Sequence, residues 1–468
     1  MKAYRSLPSS ILNLSHLVST MLAAALGAIT VVVFAGSAAA RDRVIYNFRG
    51  GNDGIGSNDL IADRAGNLYG TTFNGGGPAG AGTVYELSPP EQQGGDWTET
   101  ILYRFSYTAL DRGIGPLGRL LRNSAGNLYG TTWLGGPQGA GVAFELSPPS
   151  VMGEGWTYAV LYGFGGTGLS SPEAGLVLDK AGNLYGTTVS GGTGGCAGGC
   201  GGVFKLAPPA QQGGAWTETV LFNFSGSFET GGGTSGGLTM DEHGALYGTT
   251  YSGSGGPSGT VFRLTSSEGG HWTHTVLYEF PGFAAGAFPQ AEVVFDKNGN
   301  LYGMTNSGGS GGPNCFGSPC GTVFELRPTA TGRWMHTVLY SFNGGTDGGY
   351  PNRALTLDAA GNLYGTTVIG GDPSCTGGNG DGCGTVFQLA PPAVQGGSWT
   401  ERILDRFAGG TDGAGAGGLT FGRGCLLYGP AAAGANGDGL VFSIAPRNPA
   451  RWNWDRASRL GPHCSGEN

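Results

Sequence analysis

From Arg43 to Ile444 the chain is a succession of short runs in which apolar and polar residues alternate, and none has the apolar spacing of a helix. Four runs return in a fixed order. The first is brief, as in Gly175-Leu176-Val177-Leu178-Asp179, and the second reads Asn183-Leu184-Tyr185-Gly186-Thr187-Thr188. A glycine-rich stretch leads to the third, clearest as Gly321-Thr322-Val323-Phe324-Glu325-Leu326. The fourth runs Trp216-Thr217-Glu218-Thr219-Val220-Leu221-Phe222-Asn223-Phe224. This alternation is that of half-buried β-strands, so each set predicts four of them.

The second run fixes the count. Leu-Tyr-Gly occurs seven times, at Tyr69, Tyr129, Tyr185, Tyr247, Tyr302, Tyr364 and Tyr428, at intervals of 55 to 64 residues. Seven units of four antiparallel strands predict an all-β, seven-bladed β-propeller. The two ends of the array are offset. A fourth-run pattern, Val44-Ile45-Tyr46-Asn47-Phe48, precedes the first full unit, and the last clear strand is a third one, Gly439 to Ile444. The N-terminal strand is therefore expected to complete the last blade and close the ring. An open solenoid would have no reason to begin with an orphan last strand. Trp452 stands eight residues after Ile444, as Trp334 does after Leu326, but Asn453 to Leu460 have lost the pattern. Residues 447–468 read as a degenerate tail, leaving 41–446 for the propeller.

Turns punctuate the units. Asp-x-x-Gly precedes most copies of Leu-Tyr-Gly: the carboxylate accepts backbone N–H bonds and the glycine supplies positive φ. That glycine recurs as Gly66, Gly126, Gly182, Gly244, Gly299, Gly361 and Gly424, whereas Asn123 and Gly422 replace the Asp in units two and seven. Glycine makes up 97 of the 468 residues. Because it recurs at fixed places between aromatics, it signals many tight turns, not disorder.

Residues 1–40 differ from the rest. Lys2 and Arg5 precede an apolar run from Met21 to Phe34, and Ala38-Ala39-Ala40 makes a small-residue cleavage site before Arg41. This is the layout of a secretory signal peptide, and the run is short for a membrane span. The expected location is secreted or periplasmic, with no span left after cleavage. The mature chain keeps 22 basic against 32 acidic residues, with no basic cluster. That excludes nucleic acid as an expected partner, since phosphate contacts dominate such affinity.

The combined pattern of Gly-Asn-Leu-Tyr-Gly-Thr-Thr, Gly-Thr-Val-Phe-x-Leu and Trp-Thr-x-Thr-Val-Leu-Tyr-x-Phe resembles the GloVer (Gloeo/Verruco) tandem-repeat family of exported bacterial proteins. The likeness runs from Arg43 to about Ile444. It implies a repeat architecture and an exported bacterial protein, with no established activity. The Asp-x-x-Gly-Asn-Leu-Tyr core is also similar to NHL-type propeller blades. Fold likeness does not transfer function.

Six of the eight cysteines form local pairs in the loop between second and third strands: Cys196/Cys200, Cys315/Cys320 and Cys375/Cys383. In an exported chain these read as disulfides pinning long loops, each stabilising by about 2–3 kcal/mol at most. Zinc is the rival, but the pairs sit on separate blades and do not converge. Cys425 and Cys464 remain, and their pairing would tie down the tail.

In this strand order the fourth-to-first and second-to-third connections share one face, which becomes the candidate ligand face. It carries Asp53, Asp347 and Asp412 in Gly-Gly-x-Asp-Gly linkers, and Asp111 in a related loop. Converging at the channel mouth, such carboxylates would bind Ca²⁺ or serve as acid and base; the plainer reading is an Asp favoured in a tight turn. No His-Glu-x-x-His or P-loop occurs. His274 and His336 both stand two residues after the strand-opening tryptophan, so their place in the blade explains them. The seven tyrosines and the tryptophans Trp97, Trp156, Trp216, Trp272, Trp334 and Trp399 read as packing between blades, with sugar stacking as the tryptophans' alternative. No catalytic or metal residue is assigned, and no cofactor is expected.

The expected function is a monomeric binding or interaction module at or outside the cell envelope, its partner a carbohydrate or a protein. The alternatives are a polysaccharide hydrolase or lyase using the Asp residues at the channel mouth, and a passive surface repeat.

Overall fold

The computed structural model describes residues 43–446 except 93, 152, 212, 227–229, 235, 252–257, 311–314, 316–317, 376–381 and 395. The expected signal segment 1–40 and the expected tail 447–468, with Trp452 and Cys464, lie outside these residues. Seven antiparallel sheets radiate from an axis, each with four strands in order from a short first strand at the axis to a fourth at the rim, and three of them carry an additional short inner strand. The third blade is representative: Val177–Leu178, Leu184–Thr188, Gly202–Ala207 and Thr217–Asn223. In the seventh blade the outer place is taken by Arg43–Asn47, which pairs antiparallel with Leu440–Ile444. Around this join Phe48 N donates to Gly439 O (3.0 Å), and Gly56 N donates to Asp438 O (3.0 Å). The ring is closed by its N-terminal strand.

Each residue of the repeat has a mechanical reason. The glycine of Leu-Tyr-Gly sits under the aromatic ring of the neighbouring third strand. A Cβ on Gly130, Gly186 or Gly303 would fall 2.5 Å from the Cζ of Phe144, Phe204 or Phe324 respectively. Real Cβ atoms do not approach so closely, so only glycine lets the two strands pack with the ring between them. The tyrosine points the other way. Its hydroxyl donates to the turn carboxylate, as Tyr185 does to Asp179 (3.0 Å) and Tyr364 to Asp358 (3.0 Å). The same carboxylate accepts two backbone N–H groups, those of Ala181 and Asn183 at 2.9 and 2.8 Å in the third blade. Turn and strand are thereby one hydrogen-bonded unit.

The tyrosine ring packs against the tryptophan that opens the next blade's fourth strand: Tyr69 on Trp156, Tyr185 on Trp272, Tyr247 on Trp334 and Tyr302 on Trp399, with centroids 6.0–6.4 Å apart. Both aromatics therefore belong to the wedge between blades. The first threonine after Leu-Tyr-Gly reaches the following blade. Thr131 donates to Ala174 O, Thr187 to Gly236 O, Thr249 to Ala291 O and Thr366 to Gly417 O, each at 3.0 Å.

One feature departs from simple alternation. In the third-to-fourth pairing the register shifts, for example between Val203 and Phe204, which face Phe222 and Val220 and leave Leu221 without a partner. This bulge recurs at that place in all seven blades, in the seventh between Val44 and Tyr46 of the closing strand. It reverses which way the outer strand's side chains face, turning the residue two after the tryptophan into the wedge.

Three cystines are present, Cys196–Cys200, Cys315–Cys320 and Cys375–Cys383, with Cα separations of 5.1, 5.3 and 5.8 Å. Each lies under a linker to the next blade, at Gly226, Gly349 and Gly409, where a Cβ would meet the sulfur within 2.8 Å. Cys425 is also disulfide-bonded; its expected mate, Cys464, falls outside the described residues.

The substitution Gly303→Ala should lower stability by about 1–3 kcal/mol, the usual range for overpacking. Adding Phe324→Leu should recover part of that loss, because it removes the ring the new methyl strikes. A double-mutant cycle in chemical denaturation checks this: additive losses would mean the two residues do not meet.

Candidate functional site

Each first strand is preceded by a short inner segment that runs along the axis to a buried apolar anchor such as Leu60, Leu120, Leu176 or Leu355. The threonine hydroxyls described above hold four of these segments from the blade before. In blades one to six, residues from the positions just ahead of the anchor line a cavity of about 70 Å³ on the axis, and here the repeat stops repeating. Blade one presents Asp59, blade two Arg119, blade three Glu173, blade five Gln290 and Glu292, and blade six Asn352 and Arg353, while blade four contributes Gly236 and Gly237.

The charges are partly matched. Arg119 Nη2 meets Glu292 Oε1 at 3.2 Å, tying blade two to blade five. Asp59 Oδ1 accepts the N–H of Gly418 at 2.8 Å, tying blade one to blade seven across the ring's closure. Glycines make room for these acids: a Cβ on Gly237 would strike Glu292 Oε2, and one on Gly418 would lie 3.0 Å from Asp59 Oδ2. Glu173 and Arg353 have no hydrogen-bond or ion-pair partner among the described residues. Burial alone pushes the Glu173 carboxyl up from its ordinary value. None of these axial residues was singled out from the sequence. The signal was present as the variability of the three positions before each anchor, set against the constancy around them.

The aspartates chosen from sequence lie elsewhere and do not line the axial cavity. Asp53 accepts the backbone N–H of Arg49 (2.7 Å) and the hydroxyl of Tyr46 (2.7 Å). Asp347 accepts the N–H of Asn343 (3.0 Å) and the hydroxyl of Tyr340 (3.0 Å). Asp412 accepts Ala408 N (2.7 Å). These are turn-forming bonds, each to the residue four earlier. Asp111 lies on the short 3-10 turn Leu110–Arg112. With Arg112, Pro137, Tyr158 and Val160 it lines a second, shallower cavity of about 260 Å³. The structure does not bring the four together, and among the described residues no three His, Cys, Asp or Glu side chains gather as a metal-ligand set.

Two of them join a different arrangement. At the wedge between blades seven and one, Tyr46 Oη reaches both Asp53 and, at 3.1 Å, Glu99 Oε2. One hydroxyl proton cannot serve two carboxylates, so the second acid is favoured in its protonated form. Burial first, then the neighbouring Asp53, pushes Glu99 up to about 9. Glu401 beside Tyr340 and Asp347 is pushed up to about 7, again mainly by burial. Glu218 occupies the equivalent place and accepts the Tyr162 hydroxyl at 2.8 Å. His274 and His336 fill it in blades four and five, stacked on Phe222 and Tyr278 at 4.2 and 4.1 Å. Burial pushes both down to about 4, the behaviour of wedge residues held neutral.

These shifts set a pH dependence. An acid whose folded value exceeds its unfolded value of about 4.5 binds more protons when folded. Its stabilising effect is complete below that value and is lost as pH rises to the folded one. The histidines act at the other end, costing stability as pH falls from 6.5 to about 4. Between pH 6.5 and 9 only the acids change, so the thermal midpoint should fall with rising pH there. Glu99→Gln should flatten that slope. A midpoint series with the same slope for both proteins would contradict the assignment.

Among the described residues no helix is long and apolar enough to cross a membrane. Among solved structures, a protein of unknown function from Dyadobacter fermentans is similar at 13% identity, covering 87% of this chain and 99% of that one, with a TM-score of 0.42. PorZ, a surface component of the type-IX secretion system of Porphyromonas gingivalis, is similar at 16% identity, 81% and 45% coverage and a TM-score of 0.44. An ancestral GH74 enzyme is similar at 10% identity, 84% and 48% coverage and a TM-score of 0.49. None of these likenesses bears on activity. No curated protein matches the chain. The Gloeobacter/Verrucomicrobia repeat family matches over residues 56–317, 150–375 and 273–452, together nearly the whole propeller. The chain belongs to the Gloeobacter/Verrucomicrobia repeat family.

Proposed function

We propose that this chain is an exported binding module that takes its ligand at the axis. The observation that carries the reading is the axial cavity, where a scaffold repetitive everywhere else presents Asp59, Arg119, Glu173, Glu292 and Arg353 one by one. Charged groups drawn out of bulk water cost free energy, which an ion pair and a waiting ligand offset. A purely structural repeat has no need of them. Export is supported by residues 1–40 of the sequence and by the three cystines, which suit an oxidising compartment. The partner belongs outside the cytoplasm, as carbohydrate or protein.

A second reading has its own observation. Glu173, with its raised carboxyl, and Asp59 enter the same cavity from different blades. Two carboxyls whose environments differ are the elements of an acid and a base for glycoside cleavage. Screening residues 41–468 on bacterial and plant polysaccharides, with binding and released reducing ends scored together, separates the two. Binding without release is the expected result. Release of sugar would overturn the module reading, and silence on both counts would point to a protein partner or a passive repeat.

A further inference from the structure

The axial cavity is not merely polar. It holds two full charges of opposite sign, Glu173 on blade three and Arg353 on blade six, and neither has a partner among the described residues. They do not pair with each other within 4 Å. The remaining charges are occupied: Arg119 with Glu292, and Asp59 with the Gly418 N–H. Half-buried ions left open in this way are costly unless a ligand completes them. A neutral sugar supplies no charge to either. A uronate would suit Arg353 but be repelled by Glu173 and Asp59, and a simple amine would suit Glu173 and leave Arg353 open.

Resting on the reading of this axis as a ligand site, we infer that the cavity takes a small zwitterion, a free α-amino acid, with its ammonium on Glu173 and its carboxylate on Arg353. Size agrees. A water's share of liquid volume is about 30 Å³, so about 70 Å³ is the room of roughly two waters, which restricts the ligand to the smallest amino acids. Charge agrees as well, since a molecule with no net charge leaves the balance of the pocket unaltered. The amide groups of Asn352 and Gln290 line the same cavity and add neutral polar surface. Burial raises the Glu173 carboxyl, and an ammonium beside it would act in the opposite direction and favour its charged form.

The test is calorimetric titration of residues 41–468 with glycine, L-alanine and L-serine, alongside N-acetylglycine and glycinamide. At least one free amino acid should bind saturably. Blocking the amine or the carboxylate should weaken binding at least tenfold. Glu173→Gln and Arg353→Gln should each weaken the free amino acid at least tenfold. Glu173→Gln should also narrow the preference over N-acetylglycine, and Arg353→Gln the preference over glycinamide. That cross-pattern is one a general loss of folding would not produce, and unchanged thermal midpoints would confirm it. Equal binding of free and blocked compounds, or no binding of any of them, would overturn the inference. If polysaccharides bind while amino acids do not, the module reading survives and this inference alone falls. If both sets are silent, the axis is not a site for either kind of ligand.

Discussion

The structure depends on one pairing, that of Arg43–Asn47 with Leu440–Ile444. Every other blade is made from consecutive sequence, so its strands meet across short connections and close cheaply. The seventh blade must instead bring together residues about 400 positions apart, and its inner strands would otherwise present a bare edge. The consequences reach the axis. Asp59 meets Gly418 across the closure, and Arg119 meets Glu292 from blade two to blade five. Those contacts need blades held at fixed angles around a complete circle. An open arc would keep the wedges between blades and lose the site.

The wedges themselves are built from a few residue types with strict duties. Glycine admits the third-strand ring, tyrosine locks the turn and seats the next tryptophan, and threonine reaches into the following inner segment. These duties fix spacing and residue type together, which is why the architecture was legible in the sequence. The count of blades, the closing strand, the local cystines and the packing roles of the tyrosines, tryptophans, His274 and His336 all follow from recurrence. The bulge in the outer strand was not legible. It depends on how Val203 and Phe204 pair across strands, and no residue in Thr-Val-Leu-Tyr announces it. Without it the outward or inward aim of Glu99, Glu218 and Glu401 could not be read.

The candidate site was legible only in outline. Sequence reasoning looked for carboxylates in the linkers of the loop-bearing face, since tight Asp-Gly turns are conspicuous. Asp53 and Asp347 hold those turns and join buried tyrosine–glutamate contacts at the wedges. Successive axial charges stand 54 to 119 residues apart along the chain and obey no motif. Only the ring assembles them, and only the pairing of some and not others distinguishes Glu173 and Arg353. Two bulky residues tell a similar story. Phe288 and Tyr350 occupy left-handed backbone, φ 61° and 55°, at a place where other blades use Gly115 and Gly233. Their side chains offset the strain, Phe288 by stacking on Tyr251 at 5.0 Å and Tyr350 by donating to Cys315 O at 2.9 Å.

The most direct test of the account is hydrogen exchange at the backbone amides of the strand Arg43–Asn47 in residues 41–468. If the ring is closed as described, Val44 to Asn47 should exchange as slowly as the outer strand Trp334–Ser341 of the fifth blade. Exchange at the rate of exposed loops, with Leu440–Ile444 unprotected on its outer edge, would mean an open array and would remove the basis for a site on the axis.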